Sequence, residues 1–259
     1  MKNTKESVNK RRENIFRMIK ENGDIKVEEL MELVEASPLT IRRDLQYLES
    51  KNLIERYYGG VKLNGMSLIQ EVTDEDAIYK QLIGQRAAEY VEDGDTIFIN
   101  TSSTALAILP YITAKRVTVV TNNGNVINTP YRSDVTVILV GGELRHVKGT
   151  MVGDFALDNI KKVAANKCFL GCSGFSSDYG MTTAILSEVV LNQAFAAQTE
   201  GPVILMGTSE KIGKKSSFLS EKIERFDVLI TDEYADKNEI EKFQEQNLII
   251  DLVSRKDRK

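Results

Sequence analysis

Three stretches near the start of the chain repeat apolar residues at helical spacing. In Lys10–Asn22, Ile15, Met18 and Ile19 share one side, and Gly23 follows where a helix commonly ends. Val27–Val34 places Val27, Leu30, Leu33 and Val34 inward. Ser37–Lys51 opens with a capping serine and Pro38 at the first helical position, then repeats Ile41, Leu45 and Leu48 at i, i+4 and i+7. Only Glu35 and Ala36 separate the second helix from the Ser37 cap, which is the spacing of a helix-turn-helix. Arg56–Tyr58 and Val61–Leu63 flank Gly59-Gly60 and predict a hairpin, with Leu53 and Ile54 closing a small core. Three helices and such a hairpin make a winged helix.

Beyond Leu63 the pattern changes. Asn64-Gly65 reads as a turn, and Thr73–Asp76 is acidic without a period. From there helices alternate with short apolar runs. Helices are expected over Lys80–Tyr90, Thr104–Tyr111, near Val126, over Ser187–Ala197 and over Glu239–Gln246. Strands are expected at Thr96–Ile99, Val117–Val120, Val135–Val140, Lys167–Leu170, Pro202–Met206, Val228–Ile230 and Leu248–Asp251. Continuous apolar strands separated by helices imply a parallel sheet covered on both faces. The expected organisation is therefore α/β, with a winged helix-turn-helix head of residues 1–62, a joint of 63–76, and a parallel-sheet body of 77–259.

Charge supports this division. The whole chain carries −4, but residues 1–62 hold 13 Lys/Arg against 11 Asp/Glu, and the remainder 21 against 27. A head of +2 on a body of −6 is the asymmetry expected if only the head meets nucleic acid. No apolar run approaches the ~18 residues of a membrane span, and Met1–Glu6 lacks the apolar core of a signal peptide, so a cytoplasmic protein with no membrane partner is expected. Cys168 and Cys172 read as strand residues rather than a disulfide or metal pair. His146, the only histidine, has no second imidazole to complete a metal site or a triad and reads as a surface residue.

The third helix turns an unusual face outward. At roughly 100° per residue, Leu39, Arg43 and Gln46 point away from its apolar side, with Thr40 and Arg42 on the flanks and Ser37 at the cap. Such a face suits the major groove of double-stranded DNA, and Arg56 and Lys62 of the wing suit the phosphate backbone.

In an open parallel sheet, ligands bind beyond the carboxyl ends of the strands. The segments found there are small, hydroxylated or glycine-rich: Asn100-Thr101-Ser102-Ser103-Thr104, Thr121-Asn122-Asn123, Gly141-Gly142-Glu143, Gly171–Gly174, Gly207–Lys211 and Thr231-Asp232. Thr101–Thr104 places hydroxyls ahead of a helix N-terminus, where free N–H groups favour an anion, and Lys211 could add a cation. A phosphate is the natural guest. No Walker or Rossmann glycine fingerprint is present, so no nucleotide cofactor is expected.

Thr40-Ile-Arg-Arg-Asp-Leu45, followed by Leu53–Arg56 and Tyr58-Gly-Gly60, resembles the head of the DeoR family of bacterial sugar-metabolism regulators, with Tyr58 where that family typically has His. In the body, Thr121-Asn122, Gly141-Gly142-Glu143, Phe169–Gly171, Glu188 and Ser209–Lys211 resemble the family's effector domain, which is similar to ribose-5-phosphate isomerase and binds phosphorylated sugars. The chain departs from the pattern at Asn100, where the family often has Asp, and around Asn192 and Thr208, near which it often has Lys and Asp. The resemblance implies a transcriptional regulator, more often a repressor, with operator DNA and a phosphorylated sugar as partners and with Glu188 in the effector site. Paired operator half-sites further imply a homodimer or homotetramer. The alternative is a sugar-phosphate isomerase-like enzyme with a fused DNA-binding head, for which Glu188 and Asp232 are the candidate bases.

Overall fold

Ile41, Leu45 and Leu48 are buried together, as their spacing dictates, and they organise the N-terminal part of the chain. The computed structural model describes residues 5–22, 24–34, 36–50, 53–57, 59–63, 74–145 and 148–257. It separates into two units, Met1–Val72 and Thr73–Lys259. Gly23, Tyr58 and His146 lie outside the described residues, as does the side chain of Lys62.

The first unit has three helices, α1 (Lys5–Asn22), α2 (Val27–Val34) and α3 (Pro38–Ser50), and three strands, β1 (Asp24–Lys26), β2 (Ile54–Tyr57) and β3 (Gly60–Leu63). The strands form an antiparallel sheet in the order β1-β3-β2, with Tyr57 opposite Gly60 at the hairpin end. β1 was not anticipated: three residues are too few to show an alternation. Its Ile25 joins Ile15, Ile19, Leu30, Ile54 and Val61 around the α3 stripe. Each such side chain contributes about 1.5–3 kcal/mol on burial. One expected core position fails. Leu33 is 53% exposed, because an eight-residue helix with five apolar positions has more apolar arc than its neighbours can cover.

The second unit begins with α4 (Asp74–Ala88), six residues ahead of the expected Lys80. Asp74, Glu75 and Asp76, expected in the joint, form its first turn. The chain continues through β4 (Thr96–Ile99), α5 (Ser103–Leu106), β5 (Thr118–Thr121) and β6 (Thr136–Leu139). A hairpin follows, β7 (Glu143–Arg145) with β8 (Thr150–Val152), then α6 (Asp154–Ile160), β9 (Lys167–Gly171), β10 (Gly174–Ser176) and β11 (Gly180–Thr183). The last elements are α7 (Leu186–Ala197), β12 (Val203–Met206), β13 (Phe218–Glu221), β14 (Val228–Asp232), α8 (Lys237–Glu245) and β15 (Ile249–Val253).

Seven strands form one parallel sheet in the order β15-β14-β12-β9-β4-β5-β6. Strand residues alternate between its two faces. Ile97, Ile99, Val119, Phe169, Ile204 and Ile230 enter one core with Ile83 and Ala87 of α4. Phe98, Val120, Cys168, Leu170, Leu205 and Leu229 enter the other with Ile160 of α6, Phe195 of α7 and Phe243 of α8. The fold class is the expected one, a winged helix with a larger parallel α/β unit. The helix expected over Thr104–Tyr111 is shorter: α5 has four residues, and Leu109–Tyr111 is a separate 3₁₀ turn with Pro110 inside it. A three-stranded sheet, β10-β11-β13, and the β7–β8 hairpin were not anticipated. No helix among the described residues is long and apolar enough to cross a membrane.

Chain order fixes where a ligand can enter. From β4 the sheet grows through β5 to β6 on one side, then returns to place β9, β12, β14 and β15 on the other. Connections therefore diverge between β4 and β9, leaving a crevice at their carboxyl ends.

Candidate nucleic-acid interface and ligand crevice

The entry to α3 is held by its own residues. Ser37 Oγ accepts the Thr40 N–H at 3.3 Å and lies 2.8 Å from Thr40 Oγ1, so both hydroxyls serve the cap. Beyond the cap, Leu39, Arg42, Arg43 and Gln46 are exposed. Arg42 and Arg43 make no ion pair among the described residues, leaving two cations on one short helix face. Arg56 of β2 is also exposed but meets Glu49 Oε2 at 3.5 Å. The backbone of Lys62 pairs opposite Glu55 in the wing.

Asp44 is the residue that sequence reasoning missed. It is 1% exposed, and its carboxylate takes Arg11 Nε at 2.6 Å and Arg12 Nε at 2.8 Å, binding α1 to α3. Arg12 also covers the Tyr47 ring at 3.8 Å. The signal was present: Asp44 stands three residues after Ile41, on the inward side, where a carboxylate requires cations.

At the switch point, Asn100 spends its whole amide. Nδ2 donates to Gly171 O at 2.8 Å and to Asn192 Oδ1 at 3.0 Å, while Oδ1 accepts the N–H groups of Gly171 at 3.0 Å and Ser102 at 3.2 Å. Asn192 Nδ2 donates onward to Ser220 Oγ at 3.0 Å. Only glycine fits at Gly171, since a Cβ there would sit 1.9 Å from Ser102 Oγ. Ser102 Oγ caps α5 by accepting the Thr104 N–H at 3.2 Å, and Thr104 is buried while Ser103 is exposed. The Thr101–Thr104 loop thus differs from an open row of hydroxyls: Ser102 is committed to the cap, and a four-residue helix offers little dipole.

Thr101 turns instead to Glu188. The Glu188 carboxylate, 5% exposed, accepts Thr101 Oγ1 at 3.3 Å and Thr183 Oγ1 at 2.6 Å and meets Lys148 Nζ at 3.5 Å. Asn123 Nδ2 donates to Thr101 O at 3.1 Å, and Asn122 Nδ2 to Met151 O at 3.2 Å. Asn123 belongs to the Thr121-Asn122-Asn123 segment expected here; Lys148 and Thr183 were not foreseen, because the β7–β8 hairpin and β11 that bring them here are too short to read. Gly141 and Gly142 both adopt positive φ at the entry to that hairpin, and a Cβ on Gly142 would lie 2.5 Å from Val152 O. They shape the hairpin; no bond joins them to Asn100 or Glu188.

Lys211 ends a 3₁₀ turn after β12 and makes no ion pair among the described residues. Burial pushes the neighbouring Cys172 thiol up to about 12, with the Lys211 charge pulling the other way. Asp232 is spent on backbone, accepting Ser209 N at 2.6 Å and Tyr234 N at 3.1 Å. Among the described residues no cluster of three potential metal ligands occurs. Among the described residues these carboxyl ends thus bring together an ion-paired carboxylate, several hydroxyls and amides, and a lysine, Lys211, without an ion pair.

Comparison with known proteins places these features in context. A model described as the DeoR C terminal sensor domain matches residues 75–233, and one described as a DeoR-like helix-turn-helix domain matches residues 11–66. The chain is 33% identical over 227 residues to the glycerol-3-phosphate regulon repressor of Escherichia coli (strain K12), covering 86% of this chain and 90% of that protein. It is 28% identical over 248 residues to the lactose phosphotransferase system repressor of Streptococcus mutans, covering 93% and 98%. Among solved structures, ribose 5 phosphate isomerase A from Neisseria gonorrhoeae aligns with a TM-score of 0.38 at 14% identity, over 51% of this chain and 52% of that one.

Proposed function

This chain belongs to the DeoR family of transcriptional regulators, and from that premise we propose that it is a DNA-binding repressor controlled by a small phosphorylated sugar or polyol held at the carboxyl ends of the parallel sheet. The observation that carries the DNA half is the pair of exposed cations, Arg42 and Arg43, on the capped face of α3, with no ion pair among the described residues. Arg43 and Thr40 suit base edges in the major groove, and Arg42, Arg56 and Lys62 suit phosphates. The relatives are named for a glycerol-3-phosphate regulon and a lactose phosphotransferase system, chemistry that the hydroxyl-rich crevice and Lys211 would accommodate. Control requires that the effector favour one arrangement of the DNA-binding units over another, which a homodimer or homotetramer on paired half-sites supplies.

The isomerase alternative is not favoured. Relatives matching most of the chain are named as repressors, and Asp232 is occupied by two backbone N–H groups.

The reading is tested by thermal shift of the full chain against a panel of sugar and polyol phosphates beside their unphosphorylated parents, followed by operator binding with each hit. A specific binder at about 100 times its dissociation constant adds ~2.7 kcal/mol of stability and is expected to weaken operator affinity. A panel in which no phosphorylated compound moves either measurement would overturn it.

A further inference from the structure

Three segments that border the crevice converge on a single buried carboxylate. Thr101 follows β4, Thr183 ends β11, and Lys148 comes from the β7–β8 hairpin; all three reach Glu188 of α7. The two hydroxyl bonds are neutral donors to a carboxylate, and the third contact is an ion pair whose partners are both mostly withdrawn from solvent, at 26% and 7% side-chain exposure. Lys148 therefore sits where water screens it poorly, and its charge must be met by something. The outer strand of its hairpin, Glu143-Leu144-Arg145, is exposed along its length, so packing of that strand does not fix the lysine. Its backbone is fixed, however: Lys148 O accepts Asn125 Nδ2 at 2.8 Å, and Gly149 O accepts Gly124 N at 2.6 Å. The stem that carries the ammonium is thus anchored at its root.

Unused hydrogen-bonding capacity lies beside that root. Asn122 and Thr150 are each 2% exposed, and Asn122 Oδ1 and Thr150 Oγ1 have no partner among the described residues. Asn122 O receives Met151 N, and Thr150 bridges to Asn123, so both flank the base of the hairpin.

We propose that Lys148 is an anion-exchanging, specificity-determining residue: Glu188 holds it when the crevice is empty, and the phosphate of the effector takes it from Glu188. Released from its ion pair, Glu188 becomes an acceptor for a hydroxyl of the same molecule, so one substitution of partners reads both the phosphate and the polyol. This deepens the reading of the crevice as a phosphorylated-ligand site and rests on it. It also accounts for discrimination. A neutral sugar offers Lys148 nothing better than Glu188, and an anion without hydroxyls leaves the freed carboxylate buried and poorly met.

The test uses the full chain, titrated by calorimetry with inorganic phosphate and with the best sugar phosphate of the panel. Glu188→Gln keeps one acceptor for the two hydroxyls, Thr101 and Thr183, turns an NH2 donor toward the other, and removes the charge that holds Lys148. It is expected to bind inorganic phosphate on the order of tenfold more tightly than the unmodified chain. Lys148→Ala added to Glu188→Gln should cancel the gain, and Lys148→Arg should retain it. A gain that survives Lys148→Ala, or no gain at all, overturns the proposal. If Glu188→Gln does not fold, Lys148→Ala alone decides: lost preference for the phosphorylated over the unphosphorylated sugar supports the proposal, and an unchanged preference overturns it. A Lys148-dependent gain for inorganic phosphate with no sugar phosphate bound by any variant would sink the proposed effector while leaving the Lys148 exchange standing.

Discussion

Asn100 and Asn192 meet across 3.0 Å in the interior of the sensor unit, although 92 positions separate them in the chain. These are two of the three positions where this sequence departs from the resemblance drawn above, and the structure makes them neighbours. A neutral amide pair therefore joins the carboxyl end of β4 to α7 in the interior. Asn100→Asp alone would bury an unpaired charge facing Gly171 O, and Asn192→Lys alone would bury the opposite one, each costing about 3 kcal/mol or more. The double substitution is expected to be less destabilising than the sum of the singles by at least ~1 kcal/mol. Urea denaturation of the four proteins measures that difference; strict additivity would show that the two side chains do not act as a pair.

The recognition face makes a separate prediction. Arg43→Ala is expected to lose ~1–3 kcal/mol of operator affinity and to flatten the preference for operator over random DNA. Arg42→Ala should weaken both nearly equally. Competition binding separates the two patterns, and an unaltered preference in Arg43→Ala would remove that residue from base readout.

Arg56 provides a prediction in the opposite direction. Its contact with Glu49 at 3.5 Å, between largely exposed groups, is worth little to stability. Glu49→Ala should leave the melting temperature nearly unchanged while freeing Arg56 for a phosphate. DNA affinity should then rise at low salt, and the slope of log affinity against log salt should steepen by up to ~0.9. A steepening that persists in Glu49→Ala/Arg56→Ala would assign the effect to lost repulsion by Glu49 itself.

What was readable in the sequence followed periodicity. The α3 stripe and all seven parallel strands could be seen because each repeats or sustains apolar character over three residues or more. β7, β8, β10 and β11 could not. They have three or four residues each, and β10 and β11 bury glycine, serine and threonine as completely as phenylalanine and methionine. Burial there is imposed by neighbours in space. The same limit applied to the crevice: Asn100, Gly171 and Glu188 could be nominated by position, but Lys148 arrives on a hairpin with no local signature. The onset of α4 was legible in principle, as Asp74-Glu75-Asp76 is the acidic first turn that a helix favours.

Acid should loosen the seam between α8 and the β10–β11 turn. Burial raises the Glu239 carboxyl, but the Ser177 N–H at 3.0 Å, the Ser177 hydroxyl at 3.2 Å and Lys242 at 3.1 Å outweigh it and hold the group below its ordinary value. With the folded value depressed, this carboxylate stabilises the fold above the unfolded value of ~4.3, and the contribution is lost as pH falls through the folded value. Denaturant melts from pH 6 to 3 are expected to show a shallower decline for Glu239→Gln than for the unmodified chain. Parallel curves would remove Glu239 from the acid response.

The bond between Asn100 and Gly171 spans 71 residues of chain and closes only when β9 docks on β4. During synthesis the winged helix, complete by residue 72, leaves the ribosome while that docking partner has yet to be translated. At the ~5–20 residues per second of translation, several seconds separate synthesis of the winged helix from synthesis of β9. The winged helix is thus made before the strands that frame the crevice can meet, and that interval is set by the order of strands in the sheet.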